Sequence, residues 1–140
     1  MRQHSESAVN FLKLVVTGRI DEAYEIYISP DMRHHTPGFA GDAAGLQNGM
    51  KENHEKYPDK VLSVQRVITE LDLVAVHSHI QMDSADTGIA VVHLFRFNQR
   101  GSLPDPGQCG CVDLLYSPHS RKHPIVQRRF WHWKAIGPFD

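Results

Sequence analysis

The residues best suited to chemistry in this chain are its histidines, of which there are ten among 140 residues. His77 and His79 lie two apart in an apolar run, so on a β-strand their side chains would share one face. His93 lies in a second apolar run, and His35 lies in a stretch typical of a loop. Imidazole changes charge close to neutral pH, so each of these side chains could move a proton or hydrogen-bond a bound molecule.

Each of these four histidines also has a purely structural interpretation. His35 could hold a loop in place, and His77 and His79 could belong to a half-polar sheet face that is exposed or contacts a second subunit. His93 has apolar neighbours on its own side of the strand. It is therefore either a buried core residue or a pocket base whose pKa burial would lower.

Metal and nucleic-acid sites are weaker interpretations. His77 and His79, followed by Asp83, could bind iron, zinc or manganese, but no later ligand is evident. Cys109 and Cys111 are too few for a zinc site or a disulfide framework. Basic and aromatic residues are interleaved over 128–134, yet the pI of about 6.8 is not typical of a nucleic-acid protein. We expect no metal, no cofactor and no nucleic-acid partner, and keep a His-rich metal-binding protein as an alternative.

The elements that position these residues begin with helices. An apolar stripe at helical spacing predicts a first helix with Ser5 as its N-cap and Gly18 as its stop. A second helix is predicted over 20–28, ended by Ser29-Pro30, and a loop over 31–41. A third is predicted from Asp42 to Tyr57, where Pro58 stops it.

The period then changes from helical to two, which indicates strands. Strands are predicted over 61–69, 73–82 and 89–97, the first two joined as a hairpin. A short strand over 111–116 and a last strand over 125–136 follow. Helices first and an antiparallel meander second predict an α+β protein.

Length and composition predict one domain over 1–140, because domains of about 100–150 residues are the commonest size. No stretch approaches the roughly 20 apolar residues of a membrane helix, and the first residues lack the apolar core of a signal peptide. We therefore expect a cytoplasmic protein without membrane contact. Residues 99–140 carry six Lys and Arg against three Asp, whereas the preceding residues are acidic overall, so the composition changes near residue 98.

Three segments in order resemble the SnoaL-like polyketide cyclase family of the nuclear transport factor 2-like superfamily. The run YISPDMRHHTP over 27–37 is similar to the segment after that family's second helix. The run RVITELDLVAVHSH over 66–79 resembles its central hairpin, and AVVHLFRF over 90–97 resembles its next strand. The resemblance covers roughly residues 7–97.

The resemblance implies N-terminal helices packed on a strongly curved antiparallel sheet, a cone-shaped α+β barrel of the nuclear transport factor 2-like or cystatin-like kind. It also implies a homodimer that binds a small hydrophobic, carbonyl-containing molecule and performs acid–base cyclase or isomerase chemistry without a cofactor. We accordingly predict two sets of site residues. The catalytic set is His35, His79 and His93, and the substrate-binding set is His77, Tyr27, Phe95 and Met50.

Two departures from the family pattern favour a non-catalytic, ligand-binding dimer as the alternative. His93 stands where the family usually has Asp. The family's next strand ends in His-Trp-Asp, whose Asp is the acid–base residue, whereas the only similar run here begins at Trp131 and has Lys134 at the Asp position. The segment 98–140 is either a divergent insertion before the last strand or the product of an altered reading frame.

Overall fold

The computed structural model describes residues 2–34, 42–98 and 109–116, the last of these as backbone only. Over these ranges three helices and five strands form an α+β fold, the class that the sequence predicted. Their order is α1 (Arg2–Val16), α2 (Ile20–Tyr27), β1 (Ile28–His34), α3 (Ala43–Lys56), β2 (Val61–Glu70), β3 (Leu73–Gln81), β4 (Ile89–Phe97) and β5 (Cys109–Tyr116). Within these ranges no helix is long and apolar enough to cross a membrane. That residues 1–140 form one domain stays a prediction.

The helix ends follow from capping. Gly18 has a φ of +85°, its N–H donates to the Val15 carbonyl at 3.1 Å, and the Arg19 N–H donates to the Leu14 carbonyl at 2.9 Å, which is a Schellman motif. Asp42 caps α3 by accepting from the Gly45 N–H at 2.8 Å. Both boundaries were predicted. Ser5, in contrast, lies inside α1, because the helix begins at Arg2.

The five strands form one sheet in the order β1-β5-β4-β3-β2. Strands β2 to β5 are an antiparallel meander, and β1 pairs with β5 in parallel. Over the described residues the sheet is open, with β1 and β2 at its edges, so the closed barrel is not formed. Strand β1 replaces part of the predicted loop and contains Pro30, which an edge strand tolerates. The predicted strand over 125–136 lies outside the described residues.

The two faces of β3 and β4 differ in what covers them. Every second residue of these strands is buried against the helices, and we call this side of the sheet the inner face. The inner face comprises Val74, Val76, Ser78, Val91, His93, Phe95 and Phe97. Four of these seven belong to one apolar cluster with α1 and α2. The intervening residues form the outer face, which is only partly buried. The inner face therefore carries the core of the protein.

Candidate functional site

His93 lies on the inner face, opposite Val76 of β3 and two residues from Phe95. It is 7% exposed, and among the residues that the structure describes its buried Nδ1 has no hydrogen-bond partner. Its ring is stacked near that of Phe95, with centroids 6.1 Å apart. Burial disfavours the imidazolium ion and lowers the pKa of His93 to about 4. At neutral pH the site therefore presents an uncharged imidazole.

Ser78 is the second polar side chain of the inner face. It is 0% exposed, and its Oγ has no hydrogen-bond partner within the described part of the chain. Ser78 pairs with Val91, which precedes His93 by two residues, so Ser78 and His93 are diagonal neighbours on one face of adjacent strands. Since buried polar groups are normally paired, two unpaired ones side by side require an explanation.

This polar end lies beside the apolar cluster rather than inside it. Val91 is buried, yet it does not belong to the cluster that contains Val74, Val76, Phe95 and Phe97. The inner face thus has an apolar part that packs against the helices and a polar end at Ser78, Val91 and His93. We take this polar end as the candidate functional site.

Aromatic packing connects His93 to the helices. The ring of Phe95 meets that of Phe11 edge-on, with centroids 5.8 Å apart, and Phe11 lies 5.5 Å from Tyr24. The Tyr24 hydroxyl donates to the Met50 Sδ at 3.4 Å. Two predicted substrate contacts, Phe95 and Met50, are therefore part of the packing that supports His93. Their predicted contact with a ligand stays a prediction.

The structure does not bring His77 and His79 together with His93. Both lie on the outer face, because their strand partners are Val92 and Ala90 rather than inner-face residues. The Arg66 Nη1 lies 3.5 Å from the Nδ1 of His77. The physical reason is that successive side chains of a strand point to opposite faces. Because Val76 and Ser78 face the core, His77 and His79 point away from it.

His79 instead supports the turn between β3 and β4. Its Nε2 donates to the Thr87 carbonyl at 2.9 Å, and its ring lies directly against Gly88. Of the remaining predicted residues, Tyr27 ends α2 and is half-buried against the apolar cluster. His35 lies outside the described residues.

Sequence reasoning missed Ser78 and Tyr24 as residues of this region. A signal for Ser78 was present: it is the small polar residue within an otherwise apolar alternation of Val74, Val76 and Ile80. Over the ranges that the structure describes, no three His, Cys, Asp or Glu side chains are grouped so that they could hold a metal ion. The arrangement of His77, His79 and Asp83 therefore does not form such a group.

No family model matches the chain, and no curated protein matches its sequence. Solved structures do match it in three dimensions. A loop-truncation variant of IdmH is 20% identical with a TM-score of 0.67, over 81% of this chain and 92% of that one. A nuclear transport factor 2-like protein of unknown function from Cytophaga hutchinsonii is 15% identical with a TM-score of 0.63, over 82% and 90%.

A third match is a proposed isomerase of the SnoaL-like family from Agrobacterium tumefaciens, which is 10% identical with a TM-score of 0.66. It covers 84% of this chain and 99% of the other. At these identities the likeness concerns the fold, and the chain has the SnoaL-like, nuclear transport factor 2-like fold that its sequence predicted.

Proposed function

We propose that this chain binds a small, largely apolar, carbonyl-containing molecule against the inner face of its sheet, with His93 as the hydrogen-bonding residue. The observation that carries the proposal is the buried Nδ1 of His93, which has no hydrogen-bond partner over residues 2–34 and 42–98. Leaving such a group unpaired costs about 1–3 kcal/mol, and a ligand oxygen would offset that cost. Mixed apolar walls with a few polar groups are typical of small-molecule sites.

The charge state of His93 favours binding over proton abstraction. General base catalysis is most effective when the pKa of the base lies near the working pH. The pKa of His93, lowered to about 4 by burial, makes its imidazole a weak base at neutral pH. A neutral imidazole nevertheless donates a hydrogen bond to a carbonyl oxygen readily, and this suits binding.

Acid–base turnover is the second candidate, because a neutral histidine that polarises a carbonyl can also promote enolisation. The SnoaL-like fold is shared with a proposed isomerase, which supports a cyclase- or isomerase-like reaction only as a proposal. Fold alone does not choose between binding and catalysis. The cytoplasmic location likewise stays a prediction.

We further propose a homodimer formed through the outer face. Proteins with this fold are often ligand-binding dimers. The outer side of β2 and the adjoining turn leave Ile68 66% exposed and Leu71 74% exposed. Covering large apolar side chains of this kind is a common driving force for association. Sedimentation equilibrium tests this part of the proposal, and a monomer at all concentrations would contradict it.

The binding proposal is tested by titrating a panel of aryl methyl ketones with one to three fused rings. The His93→Phe variant removes the hydrogen-bonding group and keeps an apolar ring, so we expect its affinity to fall about 3- to 10-fold. His77→Phe is the matched control, since it makes the same change on the outer face of the neighbouring strand. It should keep the wild-type affinity.

Equal affinities of wild type and His93→Phe, or no binding of any ketone, would contradict the proposal. The same samples test turnover. Proton exchange at the α-carbon of the bound ketone in heavy water, lost in His93→Phe and kept in His77→Phe, would favour the acid–base candidate. Binding without exchange would favour the non-catalytic one.

A further inference from the structure

We infer that Ser78 is a second ligand-binding residue, and that Ser78 and His93 together bind one uncharged carbonyl oxygen. The inference rests on the proposed function, which assigns only His93. Ser78 was part of no expectation from sequence, and its own geometry supports it. Its fully buried hydroxyl lies beside the buried Nδ1 of His93, and neither group has a hydrogen-bond partner among the described residues.

The strand register places the two groups at a suitable separation. Ser78 pairs with Val91, and His93 follows Val91 by two residues on the same face. Diagonal neighbours of this kind have backbone positions roughly 7–8 Å apart, and their side chains rise from the same surface. A carbonyl oxygen has two lone pairs and can accept hydrogen bonds of about 2.8 Å from two donors at once. An oxygen located between Ser78 and His93 would satisfy both.

The remaining inner-face residues explain why a serine at this position serves binding rather than folding. Its neighbours along β3 on the same face are Val76 and Ile80, and its cross-strand partners are Val64 and Val91. An apolar residue at position 78 would complete that surface, whereas an unpaired buried hydroxyl destabilises it. The hydroxyl is useful only when another molecule supplies its partner.

The ligand class follows from the charge of the two groups. A hydroxyl and an imidazole whose pKa burial holds well below neutrality are both uncharged at neutral pH. Two neutral donors match the partial charge of a ketone, aldehyde or ester oxygen. A carboxylate would bring a full charge into a buried site without a charge opposite it from Ser78 or His93, which is unfavourable.

The experiment uses acetonaphthone labelled at its carbonyl carbon and measures the carbonyl stretching frequency of the bound ketone. Two hydrogen bonds lower this frequency, so we expect it to rise in Ser78→Ala, to rise in His93→Phe and to rise furthest in the double variant. The affinity of Ser78→Ala should fall about 3- to 10-fold. Ser63→Ala is the matched control, because Ser63 is exposed on the neighbouring strand and pairs with His79 of the outer face. It should leave both quantities unchanged.

The outcomes separate this inference from the proposed function. If Ser78→Ala keeps the wild-type frequency and affinity while His93→Phe changes both, Ser78 does not contact the ligand and the inference is wrong, although the proposed function stands. If the wild type does not bind acetonaphthone or any ketone of the panel, both fail. Should Ser78→Ala fail to fold, Ser78→Cys takes its place, because its thiol has a similar volume and is a weak hydrogen-bond donor. A wild-type frequency and affinity in Ser78→Cys would then contradict the inference.

Discussion

At Ser78 and His93, stability and binding make opposite demands on the same side chains. Both residues are buried on the inner face, and each has a polar atom without a hydrogen-bond partner in the described structure. Such an atom destabilises the ligand-free protein, because it has lost its hydrogen bonds to water without gaining others. Removing it should therefore strengthen the fold while weakening ligand binding, a combination that a merely structural hydrogen-bonded residue would not show.

We predict that Ser78→Ala raises the free energy of unfolding of the ligand-free protein by about 1 kcal/mol. The hydroxyl is fully buried and unpaired, so its loss removes a desolvation penalty and leaves only a small void. Urea unfolding at neutral pH measures the change, with Ser63→Ala as an exposed control expected to remain within about 0.5 kcal/mol of wild type. A loss of stability in Ser78→Ala would mean that the hydroxyl has a partner.

The pH dependence of stability is predicted from His93. Its pKa is 6.5 as a free side chain and about 4 in the folded protein. Between these values the unfolded chain binds the proton and the folded chain does not, so stability is full above pH 6.5 and falls as the pH drops towards about 4. The full difference corresponds to roughly 3 kcal/mol.

Urea unfolding of wild type and His93→Phe across that pH range checks this prediction. The variant has no imidazole at position 93, so its stability should fall less steeply than that of wild type as the solution is acidified. The plots of unfolding free energy against pH for the two proteins should then converge or cross as the pH decreases. Parallel curves would show that His93 is not held neutral in the folded protein.

The sequence contained enough to predict that His93 is buried, and too little to say which face of β3 holds His77 and His79. His93 has apolar neighbours two residues away on both sides, which predicted burial on that face. Both faces of β3 contain apolar residues, and alternation does not reveal which of them meets the helices. That choice depends on packing between α1 and the sheet, which are far apart in sequence. Ser78, which lies on the opposite face of β3 from His77 and His79, was missed for the same reason.

Among the elements, the turn between β3 and β4 is fixed by a small set of specific contacts. The carboxylate of Asp86 accepts from the Met82 N–H at 2.9 Å and from the Gly88 N–H at 3.1 Å. His79 donates to the Thr87 carbonyl, and Gly88 has a φ of +82°. The turn sets the register in which Ser78 faces Val91, so it positions the candidate site from a distance.

We predict that Gly88→Ala destabilises the protein by about 1–3 kcal/mol. A Cβ at this position would clash with the His79 Nε2 and lie 2.8 Å from the Ile80 carbonyl oxygen, in a backbone conformation that disfavours side chains. Gly45→Ala is the control, because Gly45 lies in the first turn of α3, where alanine should stabilise by roughly 0.5–1 kcal/mol. Thermal unfolding of both variants measures the changes. Equal effects would contradict the proposed role of the turn.

Element boundaries were predictable where local chemistry sets them. The cap at Asp42 and the span of β4 follow from residues adjacent in sequence. Strand β1 was not predicted, because Pro30 indicates the end of a helix followed by a loop. Its pairing with β5 brings Ile28 beside Cys109, and no local pattern reports a contact across such a separation. The edge position of β1 is what makes the proline acceptable.

For the whole molecule, the burial of the candidate site predicts slow ligand entry. Ser78 is 0% exposed and His93 only 7%, so a ligand reaches them only after part of the protein moves aside. We predict an association rate constant below roughly 10⁵ M⁻¹ s⁻¹ for acetonaphthone, and an observed rate that levels off at high ketone concentration. Stopped-flow fluorescence measures both.

The Ser78→Ala variant separates access to the site from ligand binding. In Ser78→Ala the observed rate should level off at the same value as in wild type, because the hydroxyl does not control the movement that admits the ligand. The ketone should dissociate from this variant faster than from wild type. A rate that rises linearly with ketone concentration towards the diffusion limit would show that the site is open to solvent. In that event the burial of Ser78 and His93 would not govern access.

The parallel pairing of β1 with β5 also has a consequence during protein synthesis. Residue 28 leaves the ribosome about 80 residues before its partner at 109. At roughly 5–20 residues per second, β1 waits about 4–16 s before β5 is made. During that interval its backbone N–H and C=O groups lack their strand partner, and Pro30, which has no N–H, makes β1 less suited to pairing with other chains.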